Sequence, residues 1–99
     1  MTRGTNPTCT LTLPVDTSTL KTVRVTFAQG WHKIFKTGAD LTMEGNIVKV
    51  DLTQEETLSF ADDKRVEVQL KALSNTGKIL ISNIHKDYMR RCIDEEVLV

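Results

Sequence analysis

A chain of 99 residues with thirteen basic and thirteen acidic side chains has no long-range field to gather phosphates, so nucleic acid is not an expected partner unless folding segregates the charge. That length suits a single domain around one modest core. Two cysteines without C-x-x-C spacing, and no run of about 18 apolar residues, exclude a thioredoxin-type redox centre, a cysteine-based zinc site and a membrane-spanning helix.

Residues 1–7 contain no periodic pattern and read as a flexible lead-in to a single β-sandwich domain over residues 8–99. "TCTLTLPV" alternates Thr8, Thr10 and Thr12 with Cys9, Leu11 and Leu13, the period-two signature of a strand with one apolar face, and Pro14 ends it. "PVDTST" supplies turn formers. In "LKTVRVTF" the inward set is Val23, Val25 and Phe27. "AQG" turns at Gly30, and "WHKIFK" restarts an extended run in which Trp31, Ile34 and Phe35 all need cover. "LTMEGNIVKVDL" carries the strongest hairpin signal, since Glu44-Gly45-Asn46 sits between apolar runs and offers residues that tolerate positive φ.

Residues 51–60, "DLTQEETLSF", break the alternation. Thr53 and Glu56 stand in S/T-x-x-E spacing, so each side chain can satisfy the other's backbone N–H in a capping box. Glu55 and Glu56 in a first turn also suit the positive end of the helix dipole. The rival reading, a general acid and base, fails on geometry, because adjacent carboxylates on a helix point about 100° apart and do not flank one substrate bond. A short helical turn near residues 53–58, joining two strands of different sheets, is therefore expected. "KRVEVQLKAL" then alternates again, "SNTGK" turns, and "ILISNIHKDYMRR" reads as one long strand. About seven short strands with turns every 8–12 residues or so give an all-β, antiparallel, immunoglobulin-like sandwich.

Candidate chemistry is sparse. His85 shares a strand face with Asn83 and Asp87, which is a weak metal constellation lacking a third ligand of suitable spacing. Cys92 with His85 as base is a conceivable nucleophile that nothing organises. Cys9 and Cys92 can pair only if the first and last strands are neighbours. No catalytic residue, cofactor or metal is expected. Trp31, directly after Gly30, suits either a partly buried plug or an exposed anchor. Together with His32, Phe35 and Tyr88 it forms the candidate contact surface.

The segments "TLTLPVDTSTLKTVRVTFAQG", "MEGNIVKVDLTQEETLSF", "VEVQLKALSNTGKILISNI" and "RRCIDEEVL" occur in an order that resembles a group of small uncharacterised proteins carried by phages and prophages of Gram-positive bacteria. The likeness spans about residues 8–98. More loosely, the arrangement is similar to the immunoglobulin-like N-terminal domain of phage baseplate proteins. The resemblance implies a β-sandwich of virion or mobile-element origin and brings no catalytic residues with it. The expected function is then a non-enzymatic structural or assembly protein, tail- or baseplate-associated, contacting other phage proteins or copies of itself. Exposed strand edges at residues 8–13 or 79–90 are the expected means of contact. The alternative is a binding module for a host protein or surface glycan through the patch around Trp31. Since "MTRGTNPTCT" lacks the apolar core of a signal peptide, synthesis in the bacterial host cytoplasm, with incorporation into the virion, is the expectation.

Overall fold

The alternating segments become two antiparallel sheets stacked face to face, and the computed structural model describes residues 1–94, 96 and 97 of the chain. Among these residues the strands are β1 (Thr8–Thr12), β2 (Leu20–Gln29), β3 (His32–Thr37), β4 (Leu41–Glu44), β5 (Ile47–Asp51), β6 (Lys64–Ser74), β7 (Ile79–Ile81) and β8 (His85–Met89), with a single α-helical segment, α1 (Gln54–Leu58). The smaller sheet has the order β1-β5-β4. The larger has the order β3-β2-β6-β7, and β8 also pairs with β6, beside β7 along the same edge.

This is the all-β sandwich-like architecture that the alternation implies, with one arrangement of its own. In an immunoglobulin constant domain the second strand lies with the first, fourth and fifth. Here β2 lies in the other sheet, between β3 and β6. Eight strands appear where about seven were expected, because "ILISNIHKDYMRR" divides. The Ser82 Oγ accepts from the Leu70 backbone N–H (2.9 Å), the Ser82 N–H donates to the Leu70 carbonyl (2.9 Å), and Gln69 Nε2 donates to the Ser82 carbonyl (3.1 Å). A serine that bonds the neighbouring strand through both side chain and backbone interrupts the ladder, and β8 resumes three residues later.

Facing side chains fill the space between sheets. Leu11, Val48 and Val50 from the smaller sheet meet Val23, Val25, Phe27, Val66, Val68, Leu70 and Ala72 from the larger, with Leu52, Phe60 and Met89 closing one end. Residues of this size are worth roughly 1.5–3 kcal/mol each when fully withdrawn from water.

Connections sort by what they join. Up to β6 the links within sheets, β2–β3 and β4–β5, are two-residue hairpins in which Gly30 (φ 59°) and Gly45 (φ 57°) take the first central position, as a type II′ turn requires. The three links between sheets up to β6 each contain one helical turn: Thr17–Thr19, Gly38–Asp40 and α1. Each turn's first N–H groups need acceptors. Asp16 supplies one for the Ser18 N–H (2.9 Å), and at α1 the expected capping box is complete: Glu56 N–H to Thr53 Oγ1 at 3.1 Å and Thr53 N–H to Glu56 Oε1 at 2.9 Å.

Where a free lead-in was expected over residues 1–7, the structure places several fixed contacts. Thr2 bridges Arg90, the Pro7 carbonyl accepts from the Leu52 N–H (3.1 Å), and the Thr5 carbonyl accepts from the buried Thr57 hydroxyl (2.7 Å). The Met1 ammonium meets the Asp87 carboxylate at 2.9 Å. A segment held at both sheets in this way is part of the folded body. No helix among the described residues is long and apolar enough to cross a membrane.

Candidate functional site

The four residues of the expected contact surface do not share one surface. Trp31 is the second loop residue of the β2–β3 hairpin, after Gly30, and its side chain is 100% exposed. It projects from a hairpin tip; it neither plugs the core nor lines a concavity. On β3 the period-two alternation separates its neighbours. His32, Ile34 and Lys36 turn toward the sandwich interior, while Phe35, paired with Thr26, stands on the outer face of the larger sheet. His32 is fastened there: Nε2 lies 2.8 Å from Ser59 Oγ, and the ring meets Phe60 edge-on at 5.0 Å. Phe35 is 52% exposed and carries the Arg24 guanidinium over its ring at 5.1 Å. Tyr88, half exposed, pairs with Arg65 on that same outer face, with β2 and β6 between it and β3.

The edge strands behave differently from one another. β1 is the edge of the smaller sheet, but it presents threonines outward. β7 is the edge of the larger sheet over Lys71–Leu73, and all three of its residues, Ile79, Leu80 and Ile81, are exposed. By register Ile79 and Ile81 lie on the outer face and Leu80 on the inner. Beneath Leu80 a groove of about 360 Å³ opens between the sheets, walled by Leu13, Val15, Leu70 and Ala72. Ile84, half exposed, extends the apolar run. A natural edge is commonly blunted by a charge, a proline or a bulge, and none of these interrupts Ile79–Ile81.

Of the residues considered for acid–base or metal chemistry, Glu56, Asp87 and Cys92 already have structural partners, while His85, opposite Val68 on β8, is exposed. Partial burial works to raise the Glu56 carboxyl, but the Lys36 ammonium at 2.7 Å and the Thr53 N–H outweigh it and hold the group below the ordinary glutamate range. A general acid needs the opposite shift. Glu55, its neighbour, is exposed beside a shallow concavity of about 470 Å³ shared with Asp51, Thr53 and Asn6. Asp87 is held below the ordinary aspartate range by its bond to the Met1 ammonium, and also receives the Tyr88 N–H at 2.8 Å. Burial, reinforced by the Asp87 charge, pushes the Cys9 thiol up, away from the thiolate a nucleophile requires. Cys92 donates to the Asp94 carbonyl at 2.8 Å, and both cysteines are free thiols. Among the described residues no three His, Cys, Asp or Glu side chains converge as a metal site.

Two partnerships escaped the sequence reading. Lys36 as the cation for Glu56 was signalled only by its sharing a strand face with Ile34. The Arg24–Phe35 stack depended on which strand lay beside β3.

Comparison with protein-family models, with curated proteins and with solved structures finds no match to this chain.

Proposed function

We propose that this protein is a non-enzymatic structural or assembly component of a phage or prophage, tail- or baseplate-associated, that acts by strand-edge contact between copies or with other particle proteins. The observation that carries this reading is the unprotected β7 edge, where Ile79, Leu80 and Ile81 are exposed beside an apolar groove. Two copies meeting antiparallel about Leu80 would set Ile79 opposite Ile81 and Lys78 opposite Ser82, so no like charges would face each other. The motif order, which resembles that of small phage and prophage proteins, suggests the biological setting. The non-enzymatic part rests on the ion pairs and hydrogen bonds that already occupy Glu56, Asp87 and Cys92.

The test is solution mass by light scattering after size exclusion over a wide concentration range. A discrete dimer or ring is expected, reduced to monomer by the double substitution Ile79→Lys, Ile81→Lys. A monomer at every concentration, alone and with candidate particle proteins, overturns the reading.

A second reading draws on Trp31. A fully exposed indole on a short rigid hairpin suits the binding of a host protein or surface glycan, since an indole offers a large apolar area at small conformational cost. A change in Trp31 fluorescence with glycans or host extract, abolished by Trp31→Ala, would favour it; no change would leave the assembly reading alone.

A further inference from the structure

The neutral total of this chain conceals an uneven distribution on the outer face of the larger sheet. The register of β2, β3, β6 and β8 places Arg24, Lys33, Arg65, Lys71 and Lys86 on that face, and opposes them with a single acid, Glu67. All six are exposed. Among the described residues none of the five cations makes an ion pair within 4.0 Å. Arg24 and Lys71 are direct cross-strand partners. Like charges so placed repel, and the one acid, Glu67, stands opposite Lys86 and leaves this pair without a carboxylate.

The surface between these cations is a shallow groove of about 410 Å³ floored by Thr26, Ala28 and Gln69, with Phe35 on one side and Ile84 on the other. The floor is small and neutral and offers amide and hydroxyl groups. Two half-exposed rings, Phe35 and Tyr88, lie on the same face, and the Arg24 guanidinium already stacks on the first.

We infer that the outer face of the five-stranded sheet binds single-stranded nucleic acid, with Arg24, Lys71 and Lys33 engaging phosphates and Phe35 stacking on an unpaired base. Charge complementarity requires an anion repeated along a line, because the cations are spread across neighbouring strands and do not converge on one point. Exposed rings distinguish the polymer, since bases offer a π-face to stack on and carboxylate side chains do not. Among the described residues no helix or projecting β-ribbon stands on this face to enter a duplex groove, so the unpaired strand is the form that fits. This surface adjoins the strand edge invoked for assembly, since Lys71 lies opposite Ile81, but different substitutions remove the two, Arg24→Glu and Phe35→Ala here and Ile79→Lys with Ile81→Lys there, so either reading can fail without the other.

The experiment is fluorescence anisotropy of a dye-labelled oligothymidylate of about 20 nucleotides, a length that exceeds the ~4–16 nucleotides a small β-domain commonly covers. Binding is expected at about 50 mM salt, weakening about twentyfold by about 200 mM, the dependence expected when about three phosphates are neutralised on a single strand. Arg24→Glu with Lys71→Glu should lower affinity by more than about tenfold and flatten the salt dependence. Lys71→Glu alone, which creates an opposite-charge pair with Arg24, should weaken binding while the thermal unfolding midpoint holds or rises, separating loss of the site from loss of the fold. Phe35→Ala should weaken binding with the salt slope unchanged. No anisotropy change at low salt, or a double variant that binds as the wild type does, would overturn the inference. So would polyglutamate displacing the oligonucleotide as well as unlabelled oligothymidylate does, since the face would then be reading charge alone.

Discussion

At α1 the chain meets its polar groups from within: Thr53 and Glu56 cap each other, Lys36 neutralises Glu56, and the Thr57 hydroxyl bonds both the Thr5 carbonyl (2.7 Å) and the Gln54 carbonyl (3.1 Å). At β7 the opposite holds. Three apolar side chains stand in water, and one flank of the strand pairs with nothing in the described chain. Both are short elements of three to five residues. The contrast teaches that the concentration of carboxylates, which drew the eye as chemistry, is a joint complete in itself, whereas the plain "ILI" is the part of the fold left open. Groups already satisfied inside a chain have little to offer a partner, and unsatisfied ones gain most from meeting one.

Substitutions at the two regions should therefore act on different observables. The largest effect is expected from Phe60→Ala, which removes a fully buried ring from beneath α1 along with the edge-on contact to His32; a loss of about 3–5 kcal/mol in urea unfolding is anticipated. Thr53→Ala should cost about 0.5–2 kcal/mol through the lost cap, and an unchanged denaturation midpoint would refute the joint. Glu56→Gln should cost roughly 1 kcal/mol at neutral pH, a figure kept modest because the Lys36 pair is partly solvated. The folded-state Glu56 group titrates below its unfolded value, so its contribution is present above the ordinary glutamate pKa and disappears as pH falls through the lowered one. The acid limb of the stability curve should thus be shallower in Glu56→Gln, and identical limbs would count against the ion pair. At β7 the expected effect on monomer stability is smallest: Ile79→Lys with Ile81→Lys should shift it by no more than about 0.5 kcal/mol per site while changing the solution mass. A large stability loss there would mean that the edge belongs to the core.

Much of the fold is legible in residue order for identifiable reasons. The inward set Val23, Val25, Phe27 and its counterpart Val66, Val68, Leu70 follow from period two alone, and every one of them is buried. Thr53 to Glu56 and Glu44-Gly45-Asn46 carry their structure in local chemistry, where three or four residues suffice. The legibility stops wherever a residue's role depends on a strand distant in sequence. Ser82 ends β7 because of Leu70 and Gln69 on the neighbouring strand, and within "ILISNIHKDY" only the turn formers Ser82 and Asn83 mark the break. Phe35 and His32 looked like one patch with Trp31 until the register of β3 on β2 set them on opposite faces of the sheet. The charge segregation on the larger sheet was likewise invisible, since it arises from summing alternate residues of strands whose order no local signal sets.

The position of β6 has a consequence for how the chain comes to fold during synthesis. Val23, Val25 and Phe27 on β2 find their partners Ala72, Leu70 and Val68 only after some forty or more further residues have been made. At about 5–20 residues per second the delay is roughly 2–10 s, while a hairpin such as β2–β3 forms within about 1–10 μs. For those seconds the larger sheet is only a two-stranded ribbon whose greasy side lacks its central strand, a state in which a nascent chain is apt to stick to its neighbours on a polysome.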